Sequence, residues 1–214
     1  MLFDVLDMPD APSCDHLYFG IARQPWQVRS YHALRRAIFC DEQNVFDGDD
    51  RDAIDDAALP IVATTQCMGV DDDVVGVVRI DERQPRVWWG SRLGVAQPYR
   101  SQTAFTAHGV FPDRATVSRR FASIGAALIY KAVSTAHALG CDRFLAHVQH
   151  QNVRFFEWLH WRSLGEVTLH GLTHHRMEAD LTHYPPSVFV AAPDCLPVAR
   201  PASAASNQSA SHAL

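Results

Sequence analysis

Residues 120–139 carry the longest helical pattern in the sequence, and this pattern limits the possible folds more than any other feature. Apolar side chains recur there at spacings of three and four residues, which is typical of an amphipathic helix. Gly140 follows at the position where a helix commonly ends. The apolar face comprises Phe121, Ile124, Leu128, Ala132 and Leu139. Such a face needs a second layer to cover it, so we expect the helix to pack on a sheet.

Short segments rich in β-branched and aromatic residues precede and follow this helix. They predict strands at 16–21, 61–70, 74–81, 87–95, 144–148, 163–169 and 175–181, with further helices at 28–39 and 152–160. Residues 71–73, all aspartate, are predicted as a hairpin turn, and 97–119 as a long polar loop. This order predicts a mixed α/β domain in which helices flank one sheet.

The two ends of the sequence differ in composition from the rest. Residues 1–15 mix Asp, Pro and Ser and are predicted to be an irregular leader. Residues 187–214 are rich in Ala, Ser and Pro and carry too few large apolar groups to offset the entropy of ordering. We therefore expect one domain over 16–186, followed by a disordered tail.

Composition excludes several classes of protein. No apolar run approaches the length of about 18 residues that spans a bilayer, and the formal net charge of −5 argues against non-specific binding to nucleic acid. The five cysteines are scattered and form no CxxC pair, which favours a reducing compartment. We expect a cytoplasmic protein without membrane or nucleic-acid partners. The sequence leaves undecided whether it forms a homodimer.

Small residues at the start of the long helix form a candidate anion site. The segment Arg120-x-x-Ser123-x-Gly125-Ala126 leaves the first backbone N–H groups of the helix accessible, and the helix dipole favours an anion there. Arg120 can add a charge-assisted hydrogen bond. A structural alternative is that the small residues only allow the helix to pack tightly.

The order of these features resembles the core of the GNAT superfamily of acyl-CoA-dependent N-acyltransferases. The resemblance covers roughly residues 28–181 and is carried by Leu93-Gly-Val95, Pro98-Tyr99-Arg100, the 120–126 segment, Asn152 and residues 155–161. Within the superfamily, the sequence is most similar to the nitrogen-starvation-associated N-acetyltransferases. The resemblance implies a mostly antiparallel sheet with two splayed strands that hold the acyl-CoA.

The resemblance also implies where the cofactor binds. The pantetheine arm would pair with backbone around Leu93 and Val95, and the pyrophosphate would lie on the N–H groups of residues 120–126. Acetyl-CoA is the co-substrate that the resemblance implies. Its predicted contacts are Leu93, Val95, Arg100, Arg120, Ser123, Ile124, Gly125, Ala126, Asn152 and Phe156.

The sequence departs from the superfamily pattern at residues that matter for proton transfer. Phe156 occupies the position of a frequent proton-donating tyrosine, and His160 that of a glycine. Ser123 replaces the first glycine of the phosphate loop, and residues 101–119 are additional. His147 and His160 are therefore candidate proton carriers, and a CoA thiolate can also leave without a donor.

The acceptor side is assigned to the acidic segment 41–58 and the helix before it. Arg35, Phe39, Asp52, Asp55 and Arg79 follow an order that is similar to one shared by some GNAT enzymes and acyl-homoserine-lactone synthases. Glu42 is the candidate base, because helical spacing would place it on the face of Arg35 and Phe39. The alternative is a solvated acidic loop, with Arg35 in a purely structural ion pair.

The twelve histidines do not match a known metal motif. There is no HExxH, His147 and His150 lie near a strand end, and the adjacent His174 and His175 would point in opposite directions on a strand. We therefore expect no metal.

Three functions stay open on these grounds. The first is an N-acetyltransferase that transfers an acetyl group from acetyl-CoA to the amine of a small molecule. The second is an acyltransferase similar to acyl-homoserine-lactone synthases, with S-adenosylmethionine as the acceptor. The third is a non-catalytic acyl-CoA sensor, which the phenylalanine at 156 favours.

The anion site gives the first testable prediction. Gly125→Glu would put a negative charge where the pyrophosphate is expected, so the affinity for acetyl-CoA should be lost while the fold is kept. Isothermal titration calorimetry measures the affinity for acetyl-CoA, and the melting temperature shows whether the variant is folded. A folded variant with unchanged affinity would refute the phosphate assignment.

Overall fold

The structure, a computed structural model, describes residues 16–67, 70–110 and 121–186. No helix within these ranges is long and apolar enough to cross a membrane. The predicted leader, the predicted tail, Arg120 and residues 111–119 of the inserted loop lie outside the described residues.

Eight strands form a single, mostly antiparallel sheet. They are β1 (His16–Ile21), β2 (Leu59–Cys67), β3 (Val70–Gln84), β4 (Val87–Val95), β5 (Thr106–His108), β6 (Arg143–Gln149), β7 (Trp161–Leu169) and β8 (Leu172–Ala179). The spatial order is β5-β1-β2-β3-β4-β6-β8-β7. Only the pairs β1–β5 and β4–β6 are parallel among these strands. The prediction of a mixed α/β fold with one mostly antiparallel sheet is therefore confirmed.

Three α-helices flank the sheet, namely α1 (Pro25–Arg36), α2 (Ile124–Ala138) and α3 (Val153–Trp158). A π-helical turn continues α1 over Ala37–Glu42. Short 3-10 turns lie at Ala53–Asp56, Gln97–Tyr99, His150–Asn152 and Leu181–His183. The long predicted helix starts later than its pattern suggested, because the hydroxyl of Ser123 caps it by accepting a hydrogen bond from the Ala126 N–H.

The two faces of the sheet bury separate hydrophobic clusters. Helix α2 covers the larger cluster, which includes Phe19, Ile80 and Leu128. Helix α1 covers the smaller one, in which Tyr31 packs with Val77. A sheet covered on both faces explains why β3 has a nearly continuous apolar stretch rather than strict alternation.

Two local predictions were wrong. Residues 71–73 lie inside β3 rather than in a turn, and Asp71 accepts side-chain hydrogen bonds from Gln27 and Gln66 that hold it there. The polar loop after β4 contains the short strand β5, which pairs with β1 at the sheet edge. Three residues without apolar alternation carry no strand signal, so only the edge of β1 determines this pairing.

The core gives a stability prediction. Leu128 is fully buried in the α2 cluster, so Leu128→Ala should reduce the free energy of unfolding by about 2–5 kcal/mol. Leu172 is 48% exposed, and Leu172→Ala should change the free energy of unfolding by less than about 0.5 kcal/mol. Denaturant unfolding of both variants tests this, and equal effects would contradict the assigned packing.

Candidate active site

Strands β4 and β6 separate part of the way along their length. They pair in parallel from Val87 with Arg143 to Gly90 with Ala146, and no pair continues beyond this point. β4 stays paired with β3 as far as Val95. The side of β4 that faces β6 therefore has no strand partner over residues 91–95, where the Val95 carbonyl accepts from Arg100, and an extended ligand with amide groups can pair with this edge. This is the splayed pair that the resemblance implied.

A cavity of about 630 Å³ passes through the sheet at this separation. On the α2 face its wall includes Ile129 and Ala132, and on the α1 face it includes Phe39 and Phe46. A ligand in the gap thus reaches from one face to the other. Among the predicted residues, Phe39, Asp52, Arg79, Leu93, His147, Asn152 and Phe156 line the cavity.

A network of ion pairs, buried at Arg35, Arg79 and Asp50 and exposed at Asp52, supports the α1 side of this cavity. Its members are Arg35, Arg79, Arg92, Asp50, Asp52 and Asp55. Arg35 bonds Asp50 at 2.8 Å and Asp55 at 2.5 Å, and Arg79 bonds Asp52 at 2.6 Å and Asp55 at 2.9 Å. Three positive and three negative charges balance, which permits their burial. Asp50 and Asp55 of the acidic segment are therefore not freely solvated, whereas Asp47, Asp49 and Asp56 are exposed.

The network perturbs the acidity of its members. Burial acts to raise the pKa of the Asp55 carboxyl, but the hydrogen bonds and charge of Arg35, with the charge of Arg79, hold it well below its usual range. Asp52 has a lowered pKa for the same balance of burial against Arg79. Burial raises the pKa of the Tyr31 hydroxyl to about 12, although Arg35 donates a hydrogen bond to it. Asp52 and Asp55 therefore stay charged across the neutral range.

Arg92 enters this network from a β-bulge in β4. Ser91 pairs with Arg79 and Gly94 pairs with Val77, so Arg92 and Leu93 together face one residue of β3. Arg92 has a left-handed backbone with φ of 54°, which costs about 1–3 kcal/mol and persists only where surrounding contacts fix it. Its guanidinium lies over the Phe46 ring at 4.2 Å and donates to the Asp50 backbone carbonyl at 2.9 Å.

The N-terminus of α2 lies near the outer end of the separated strands. Val95 of β4 pairs with Gly76 of β3, and the Cα hydrogen side of Gly76 contacts Ile124 and Leu128. The N–H groups of Ile124 and Gly125 come first in the helix and have no acceptor within it. Among the described residues, a Cβ added at Gly125 would meet Ser123 Oγ at 3.7 Å, an ordinary van der Waals contact.

Glu42 and Arg100 pair with each other outside the cavity. Their bidentate ion pair has N···O distances of 2.6 Å, and both side chains are about 40% exposed, at 42% and 40%. The π-helical turn at Ala37–Glu42 widens the helical repeat, so Glu42 rotates away from the Arg35 face on which α-helical spacing would place it. Arg100 also donates to the Val95 carbonyl at 2.8 Å.

The two candidate histidines lie in different places. His147 lines the cavity beside Trp89, with ring centroids 4.8 Å apart. Partial burial lowers its pKa, and the nearby charges of Arg83, His174 and Arg176 lower it further, so the ring is neutral at pH 7. His160 does not line the cavity, and it stacks on His183 at 3.6 Å.

The cavity residues that the sequence analysis missed as site residues include Phe46, Asp50, Trp89 and Arg92. Asp50 was included only in the acidic segment, yet it is 1% exposed and its Oδ1 has no hydrogen-bond partner among the described residues. One signal was available. Arg79 interrupts the apolar run of β3, and an arginine inside a buried strand requires a carboxylate partner.

Comparisons with known proteins agree with this architecture. Neither known protein-family profiles nor curated proteins match this sequence. Among solved structures, a Lactobacillus plantarum protein assigned as an N-acetyltransferase superposes with a TM-score of 0.60 at 19% identity, over 77% of this chain and 97% of that one. Escherichia coli ElaA superposes with a TM-score of 0.56 at 16% identity, over 77% of this chain and 98% of ElaA.

A third similar structure is BjaI, a CoA-dependent acyl-homoserine lactone synthase in complex with SAM and isopentyl-CoA. It superposes with a TM-score of 0.53 at 13% identity, over 78% of this chain and 85% of that one. The chain therefore has the fold of the GNAT acyltransferases, as the sequence resemblance predicted. At these identities the comparisons establish the fold, and they leave the nitrogen-starvation subgroup unconfirmed.

The ion-pair network predicts a specific acid sensitivity. Because the folded pKa of Asp55 is depressed, its stabilisation is complete above about pH 4 and is lost as the pH falls toward the folded value. Asp55→Asn should reduce the free energy of unfolding at pH 7 by about 3–5 kcal/mol. Below pH 4 the free energy of unfolding should fall less steeply with pH in this variant than in the wild type. Asp142→Asn breaks the exposed pair with Arg86 and should lower the free energy of unfolding far less, because solvent screens that pair.

Urea unfolding of both variants between pH 7 and 3 provides the measurement. Equal losses for Asp55→Asn and Asp142→Asn would show that burial does not strengthen the network.

Proposed function

We propose that the protein is an acyl-CoA-dependent N-acyltransferase that transfers an acetyl group from acetyl-CoA to the amine of a small molecule. The observation that carries this proposal is the separation of β4 from β6 beyond Gly90 and Ala146, which opens into the cavity through the sheet. The amides of the pantetheine arm can pair with the free edge of β4. The pyrophosphate can lie on the first N–H groups of α2.

The reaction requires few protein groups. The amine nitrogen attacks the thioester carbonyl carbon, the C–N bond forms, and the C–S bond breaks to release the CoA thiolate. Holding the two reactants together supplies much of the rate enhancement. A base must take the proton of the attacking amine, which contributes about 10²–10⁴-fold.

His147 is the base that the geometry favours. It lines the cavity just beyond the last β4–β6 pair, and its lowered pKa leaves the imidazole neutral and able to accept a proton at pH 7. Glu42 is less suited, because Arg100 occupies both of its carboxylate oxygens and it lies outside the cavity wall. Phe156 has no acidic proton to donate, so the thiolate leaves without help from that residue.

The charges of the cavity wall favour an acceptor that resembles an amino acid. Asp50 has a carboxylate oxygen without a partner, and Arg51, the next residue in the wall, forms no ion pair within the described part of the chain. Asp50 is itself a member of the ion-pair network, which is neutral as a whole, and Arg51 is not. An ammonium and a carboxylate on one small acceptor would complement these two groups.

An acyltransferase that uses S-adenosylmethionine is the second candidate. The ion-paired Arg35, Asp52, Asp55 and Arg79 support it, because their order is the one that resembles acyl-homoserine-lactone synthases. S-adenosylmethionine also carries an ammonium and a carboxylate on one carbon. Release of CoA with S-adenosylmethionine, but not with free amino acids, would favour this candidate.

The assay follows free CoA thiol with acetyl-CoA and a panel of amines, amino acids and S-adenosylmethionine. His147→Gln should lower kcat at least tenfold, which is modest for the loss of a base, while affinity for acetyl-CoA persists. In the wild type, activity should rise with pH through a pKa below the usual histidine value and level off near neutrality. His147→Gln should remove this rise.

Glu42→Gln is the matched comparison, and it should retain most of the activity. If Glu42→Gln lowers kcat tenfold while His147→Gln keeps the wild-type kcat, Glu42 rather than His147 is the base. Tight binding of acetyl-CoA without turnover of any acceptor would favour the non-catalytic sensor.

A further inference from the structure

Two histidines and a glutamate from three separate elements meet beside the outer strands of the sheet. His150 lies in the 3-10 turn after β6, Glu166 on β7 and His175 on β8. The strand register brings them together, because His175 is opposite Glu166 on one side and Val148 on the other. One ligand atom from each residue lies within 4.8 Å of the other two. None of the three lines the cavity.

The spacing of these atoms suits a single metal ion. His150 Nδ1 lies 3.1 Å from His175 Nε2, and Glu166 Oε1 lies 3.6 Å from the same His175 nitrogen. Two ligands on one tetrahedral Zn²⁺, each about 2.0–2.1 Å from the ion, are about 3.4 Å apart. These two spacings lie on either side of this value, and the ligand atoms of His150 and Glu166 lie within 4.8 Å of each other, so side-chain movement can bring all three to one ion.

A hydrogen bond between the His150 and His175 rings pairs only two of the three polar atoms of this cluster. One N–H can lie between His150 and His175, and the Glu166 oxygen is beyond hydrogen-bonding distance of the shared nitrogen. Without a proton or cation between them, three lone pairs converge on one point. The other nitrogen of His175 lies 2.9 Å from Ser163 Oγ. A proton held there leaves Nε2 free to ligate, which is the usual arrangement of metal-binding histidines.

We propose that His150, Glu166 and His175 form a zinc-binding site, with water in the fourth position. Imidazole and carboxylate groups are suitable ligands for this ion. The sequence analysis expected no metal because it considered only ligands close along the chain. The site links β7 and β8 to the turn that carries Asn152, so binding should also raise the melting temperature.

Competition between the full-length protein, freed of metal, and a chromophoric chelator for Zn²⁺ tests this proposal. We expect one high-affinity Zn²⁺ per chain. His150→Ala and His175→Ala should each weaken it at least tenfold, and Glu166→Gln should weaken it while preserving the shape of the side chain. Unchanged melting temperatures of the metal-free variants establish that each is folded.

His108→Ala is the matched control. His108 belongs to another histidine contact, in which its Nε2 lies 3.0 Å from His16 Nδ1, and its removal should leave the Zn²⁺ affinity unchanged. The proposal is overturned if the wild type binds no Zn²⁺ tightly, or if His150→Ala and His175→Ala bind it as the wild type does. It is equally overturned if His108→Ala causes the loss. The outcome does not depend on the proposed acyltransferase activity, because Zn²⁺ binding is measured directly.

Discussion

The balanced network of arginines and aspartates behind the cavity is the interaction on which the acceptor side of the structure depends. It joins α1, the acidic segment, β3 and β4 through residues that are 15 to 42 positions apart in sequence. Each arginine has at least two carboxylate contacts, so removal of one aspartate would leave a buried charge incompletely compensated. The network therefore maintains a polar wall where an apolar core would otherwise close the cavity.

The separation of β4 from β6 defines the other half of the site. Pairing stops after Gly90, and the bulge at Arg92 turns the following residues while β4 stays bonded to β3. The same bulge directs the Arg92 guanidinium into the ion-pair network. One irregularity of the backbone thus shapes both the proposed path of the cofactor and the acceptor wall, which explains why an arginine is held in a left-handed conformation there.

Sequence reasoning identified several site residues but not their partners. Leu93, Asn152 and His147 were predicted and line the cavity, whereas Glu42 and His160 were predicted and lie outside its wall. Their assigned roles stay predictions. Glu42 was misplaced because α-helical spacing was applied to a segment that forms a π-helical turn. A single wide turn has no clear signature in side-chain polarity, so the pattern could not reveal it.

The sequence alone determined the order of the elements apart from β5, and the extent of β1 and β4, because each depends on neighbours two to four positions away. Tertiary structure decided which carboxylates are buried, where the strands separate, and that His150, Glu166 and His175 meet. Those outcomes depend on strand register across the sheet. A shift of one residue in pairing reverses the face of every side chain, and no local pattern encodes that choice.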